Sequence, residues 1–127
     1  MHPRPSNHEI CKKIADALTA LRDGKFTQVV TKHIYGDLAD LELDSAEQQL
    51  PGLLIELLEE IQTIGPIECY AGGKPPQRSH EPELAGLELW AYSWHSERLG
   101  RQMYLKFAMR KEWYIYVDCH RDNPPGV

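Results

Sequence analysis

From Gln102 to His120 the chain alternates apolar and polar side chains with a period of two, interrupted once by Arg110-Lys111-Glu112. That period belongs to β-strands, where successive side chains point to opposite faces. In the first run Met103, Leu105, Phe107 and Met109 share one face, and Gln102, Tyr104, Lys106, Ala108 and Arg110 share the other. In the second, from Trp113 to His120, the pattern sends Trp113, Ile115, Val117 and Cys119 inward and Tyr114, Tyr116, Asp118 and His120 outward. A sheet with one apolar face must bury it against another layer, so the rest of the chain has to supply that layer.

The upstream sequence reads as helices. Ser6 and Glu9 have the spacing of a capping box, and Ile10, Ile14, Leu18 and Leu21 then recur at helical intervals up to Gly24, a natural stop. A second helix is expected from about Thr27 to Tyr35, with a strand as the alternative because of its β-branched residues. Ser45 and Gln48 repeat the capping spacing ahead of Leu50, Leu53, Leu54, Leu57, Leu58 and Ile61, the strongest helical pattern in the chain, with Pro51 in its beginning. Gly65-Pro66 ends it. A short strand at Ile67 to Tyr70, a long loop at 71–86 and a further strand at Leu87 to His95 complete the reading. In that last strand Trp90, Tyr92 and Trp94 lie opposite Leu87, Leu89 and Ala91. The expectation is one domain of 127 residues with an α+β fold: a helical part at about 6–64 packed on a C-terminal antiparallel meander at about 87–121.

Composition narrows the class. A hydrophobic content of 42% and a charged content of 26% are ordinary for a soluble protein, and no apolar run approaches the ~20 residues of a membrane span. The Met1-His2-Pro3-Arg4-Pro5 start has no apolar stretch behind its single positive charge, so a secretory signal is not expected and the cytoplasm is the default. Cys11, Cys69 and Cys119 are widely spaced in apolar-periodic contexts and read as reduced core thiols. Cys119 and His120 are adjacent on a strand and point to opposite faces, which argues against a metal site, and no cofactor is implied.

The polar faces hold groups suited to phosphodiester chemistry. Cutting RNA without a metal takes a base for the 2′-hydroxyl proton, an acid for the leaving 5′-oxygen and a cation near the phosphate. Tyr104 and His120 are the candidate acid and base, and Lys106, on the face of Tyr104, is the third catalytic candidate. Arg101 and Arg110 are candidate phosphate-binding residues, His95 a strand-end candidate, and Trp90, Tyr92, Tyr114 and Tyr116 candidate stacking surfaces for unpaired bases. The formal net charge of -5 opposes nucleic-acid binding. However, most carboxylates lie between Asp37 and Glu60, whereas His95 to Arg121 carries Arg98, Arg101, Lys106, Arg110, Lys111 and Arg121 against Glu97, Glu112 and Asp118.

Leu89-Trp90 followed by Gln102-Met103-Tyr104-Leu105-Lys106 resembles the C-terminal signature of the MqsR-like (motility quorum-sensing regulator) toxins, within the wider RelE-type group of messenger-RNA-cleaving toxins. The resemblance covers roughly Ala17 to Asn123. It implies a metal-independent endoribonuclease with RNA as substrate, an antitoxin protein as partner and the ribosome as a candidate third partner. Tyr104 matches the family's functional tyrosine, and His120 falls where the family has a lysine. Ala91 stands at a family glutamine, and a second family lysine has no clear counterpart. A different class remains beside this one: a non-catalytic binding module, immunity-like, antitoxin-like or a phage-associated adaptor, using the aromatic strands and acidic helices as a protein interface.

Overall fold

The computed structural model describes residues 4–28, 50–84 and 86–121. Helix α1 spans Asn7–Arg22 and starts in the expected way: the Ser6 side chain accepts from the Glu9 amide while the Glu9 carboxylate accepts from the Ser6 amide. Its buried stripe is Ile10, Ile14, Ala17, Leu18, Ala20 and Leu21. Gly24, at φ 74°, turns the chain back out of the helix, a conformation open to glycine at no steric cost. The next residues, Phe26–Gln28, form strand β1 and not the start of a helix; residues 29–35 of that expected helix, and the Ser45/Gln48 cap, lie outside the described residues.

Helix α2, Leu50–Ile64, buries the six residues that its period selected, with Leu50, Leu54, Leu57, Leu58 and Ile61 wholly inaccessible. Gly65, at φ 127°, ends it, and Pro66 begins a single helical turn, α3 (Pro66–Cys69), where a strand was expected. Proline fixes φ near the helical value and has no amide to offer a sheet, and the turn is closed by Cys69 N and Tyr70 N donating to Gly65 O and Pro66 O. Burial beside Glu68 pushes the Cys69 thiol up to about 11. Cys69 and Cys119 are buried as expected, but Cys11 is exposed on α1 and lies outside its buried stripe.

Strands β2 (Trp90–Ser96), β3 (Arg101–Arg110) and β4 (Trp113–Arg121) form the antiparallel meander, and β1 adds to β4 in parallel. The sheet is therefore four-stranded and mixed, in the order β1-β4-β3-β2. With helices first and strands last, the fold is α+β. Among the described residues no helix is long and apolar enough to cross a membrane.

One sheet face packs on α1 and α2 through Trp90, Tyr92, Trp94, Met103, Leu105 and Phe107. The other is covered at one end by the strap 77–89, whose Leu84 and Leu89 join Ala108 and Ile115 in a second small core. The strap is tied as a ribbon: Leu89 N donates to Gln77 O at 2.7 Å, Ser79 N to Leu87 O at 2.9 Å, and Arg78 bridges Glu88. Arg4 anchors its end by pairing with both Glu9 and Glu88 at 3.0 Å.

Strand β4 departs from the simple alternation. Its register with β3 runs Lys106 with Asp118 and then Phe107 with Tyr116, which leaves Val117 as an extra residue. Such a bulge moves the following side chains across to the other face. Before it, Tyr114 and Tyr116 are the core residues, while Ile115 and Val117 pack under the strap and Trp113 is 45% exposed. After it, Cys119 points to the helices, and Asp118 and His120 point away, as the alternation predicts.

Candidate functional site

On the face turned from the helices, the strand register lays out rungs. Ser93, Tyr104 and His120 form one, and Ala91, Lys106 and Asp118 the next. Tyr104 and His120 are direct cross-strand partners with ring centroids 5.3 Å apart and planes 25° from parallel, both half-buried. Paired aromatic rings across an antiparallel ladder hold each other's rotamers, so phenol and imidazole are kept side by side. Lys106 follows on the same face, with Nζ 3.5 Å from the Asp118 carboxylate; both side chains are about one-fifth exposed, at 24% and 21%. Gln102 donates to the Ser93 hydroxyl at 3.1 Å, giving the rung a polar border. Three catalytic candidates therefore lie on one face, and the bulge reconciles this with the core: if all the residues of β4 alternated without a break, Tyr114 and Tyr116 could not face inward while His120 faces outward.

The other candidates are placed differently. Trp90, Tyr92 and Tyr116, expected as stacking surfaces, are 1%, 0% and 1% exposed and belong to the core, as does Tyr114. Their polar tips explain why a core can accept two of the β2 aromatics: the Tyr92 hydroxyl donates to Ile10 O at 2.9 Å, and Trp94 Nε1 donates to Glu60 at 3.2 Å. Arg101 shares the alternation of Met103, which puts it on the helix side, where its Nε donates to Leu99 O. Arg110 is on the outer face but six residues from Tyr104, about 20 Å along an extended strand. His95 is exposed opposite Gln102 and lines a groove beside α2 instead of facing Tyr104.

That groove, about 650 Å³, is walled by Glu56, Glu59, Glu60, His95 and Glu97. Glu60 fixes the β2–β3 turn by accepting from Ser96 Oγ at 2.6 Å, Trp94 Nε1 at 3.2 Å and Arg98 N at 3.1 Å. Burial raises its pKa, but these donors outweigh the burial and hold the carboxyl below the usual range. Arg98 pairs with Glu56, so this cation belongs to the groove and not to the Tyr104 face. Among the described residues no three His, Cys, Asp or Glu side chains cluster as metal ligands would.

Two groups near Lys106 carried no sequence signal. Arg78 and His80, in the proline-rich segment read as a loop, line a crevice of about 300 Å³ that also reaches Lys106 and Asp118. Only the folding of the strap back onto the sheet brings them there, a contact with no local period to reveal it. Compared with protein-family models, with curated proteins and with solved structures, the chain matches none.

Proposed function

We propose that the chain is a metal-independent endoribonuclease of the MqsR-like, RelE-type toxin kind, acting in the cytoplasm on messenger RNA and neutralised by an antitoxin protein. The observation that supports this reading is the Tyr104–His120 pair at 5.3 Å with Lys106 on the next rung of the same face. In the reaction His120 takes the proton of a ribose 2′-hydroxyl, whose oxygen attacks the adjacent phosphorus. Lys106 faces the charge that builds on the phosphate, and the Tyr104 phenol gives its proton to the departing 5′-oxygen. The products are a 2′,3′-cyclic phosphate and a 5′-hydroxyl.

The test is incubation of purified protein with a defined messenger RNA in excess chelator. Cutting that leaves cyclic-phosphate ends, and that is lost in both Tyr104→Phe and His120→Ala, supports the reading. Equal cutting by all three proteins would assign it to a contaminant or to other residues. A second reading, a non-catalytic module that docks a basic partner, draws on the four glutamates of the α2 groove and on the net charge of -5. Intact RNA in every sample, together with a partner whose binding is lost in Glu59→Lys, would favour that one.

A further inference from the structure

The crevice between the strap and the sheet is a second concave feature on the outer face, and it starts where the catalytic candidates end. Lys106 and Asp118 are shared: each lies two positions along its strand from Tyr104 or His120. The crevice has unlike walls. Leu84, Leu89 and Val117 give an apolar side, and Arg78, His80 and Lys106 give three nitrogen-bearing side chains, beside the carboxylates of Glu81 and Asp118. Its volume of about 300 Å³ is at the lower end for small-molecule sites, enough for a single planar ring system with its sugar and phosphate.

Its walls are preformed. Leu84 and Leu89 are seated in the second core, the strap backbone is hydrogen-bonded to itself across residues 77–89, and the Arg78 guanidinium is steadied on Gly86 O at 3.2 Å. A concave site held by packing and backbone hydrogen bonds loses little conformational freedom when a ligand enters. Among the described residues, the rung of Tyr104 and His120 lies on the open ladder beyond this crevice.

We propose that this crevice is a single-nucleotide pocket: one unpaired nucleotide of the RNA turns off the strand, sets its base against Leu84, Leu89 and Val117, and presents its phosphate to Arg78 and Lys106. The proposal deepens the ribonuclease reading and rests on it for the RNA strand, but mononucleotide binding tests it separately. Recognition of single-stranded RNA proceeds by splaying bases into such recesses, where contacts to the base select sequence and contacts to phosphate set register. The pocket would thus choose which phosphate reaches Tyr104 and His120.

Two measurements decide it. First, the four nucleoside 5′-monophosphates are titrated into the labelled full chain and followed by amide chemical shifts. Shifts centred on residues 77–81, 106 and 117–118, with affinity reduced about tenfold or more in Arg78→Ala, are expected from the loss of one charge-assisted contact to phosphate. Absence of binding, or equal binding by the variant, overturns the proposal. Second, wild type and Val117→Ser, which alters the wall that the base would meet, are given a randomised RNA. The expected result is a base preference beside the cut that flattens in the variant while cutting continues; an unchanged preference overturns the pocket and leaves the nuclease standing. Mononucleotide binding in the crevice with no cutting by wild type would remove the nuclease and keep the pocket.

Discussion

Tyr114 carries its hydroxyl into the core between Phe26 and Phe107, where it has no hydrogen-bond partner among the described residues, and burial pushes its ionisation far upward. A buried polar atom without a partner is a liability, so Tyr114→Phe should leave stability unchanged or raise it by about 1 kcal/mol in urea denaturation. A clear loss would mean that the hydroxyl is satisfied in solution. Glu60 is the opposite case. Its carboxyl, held below the usual range by three donors, contributes stability that is present at neutral pH and fades as pH falls through its lowered value. Glu60→Gln should therefore destabilise by about 1 to 3 kcal/mol at neutral pH, with the gap to wild type closing once pH falls below the lowered value. A gap of the same size at both pH values would contradict the assignment. At the site, loss of either proton-transfer group should lower RNA cutting by about two to four orders of magnitude. A remaining rate near wild type in Tyr104→Phe would exclude the phenol as the acid.

At the level of elements, α1 and α2 were legible because what defines them is local: a 3.6-residue stripe and a glycine stop in both, and in α1 a capping pair. The stripe carries most of the core, and Leu57→Ala, at a position with no exposure, should cost about 2 to 5 kcal/mol. The strands were legible as strands, yet β4 was assigned the wrong faces from Trp113 to Val117. Its bulge sits at a valine, with no glycine or proline to mark it, and only pairing against Lys106 and Phe107 shows that a residue is extra. Tyr104, Lys106 and His120 were still found because they lie on the part of the ladder beyond the bulge, where the period resumes in the expected phase. Trp90, Tyr92 and Tyr116 were misjudged for a simple reason: an aromatic side chain reads as apolar body or polar tip, and the sequence does not say which will face inward. Deleting Val117 should leave Phe107 opposite Tyr116 and Lys106 opposite Asp118 in an unbroken ladder, with Cys119 still in the core and His120 still turned outward. Cys119 should resist thiol reagents in wild type and in the folded deletion variant alike; rapid labelling of Cys119 in that variant would refute the assignment of Val117 as the extra residue.

Across the whole molecule, charge is sorted unevenly, though less simply than the linear sequence suggests. The C-terminal third is basic in sequence, but folding disperses it: Arg98 goes to the α2 groove, Arg101 to the helix side and Arg110 to the far end of β3. Among the described residues, the cations beside the candidate site are chiefly Lys106 and, across the crevice, Arg78. Affinity for single-stranded RNA should then fall only shallowly with salt, with a logarithmic slope of about -1.4 for two phosphates at ~0.7 each. A slope several times steeper would locate the RNA elsewhere. The parallel β1 and the strap escaped sequence reading for the same reason, since both are contacts between segments far apart in the chain.

That long-range pairing has a consequence for synthesis. Phe26 emerges early, but its partner Tyr114 and the imidazole of His120 are translated almost a hundred residues later. Any product that stops short of Trp113 lacks the strand that joins β1 to β3, together with one member of the proposed catalytic pair, so interrupted translation would release fragments with an incomplete sheet.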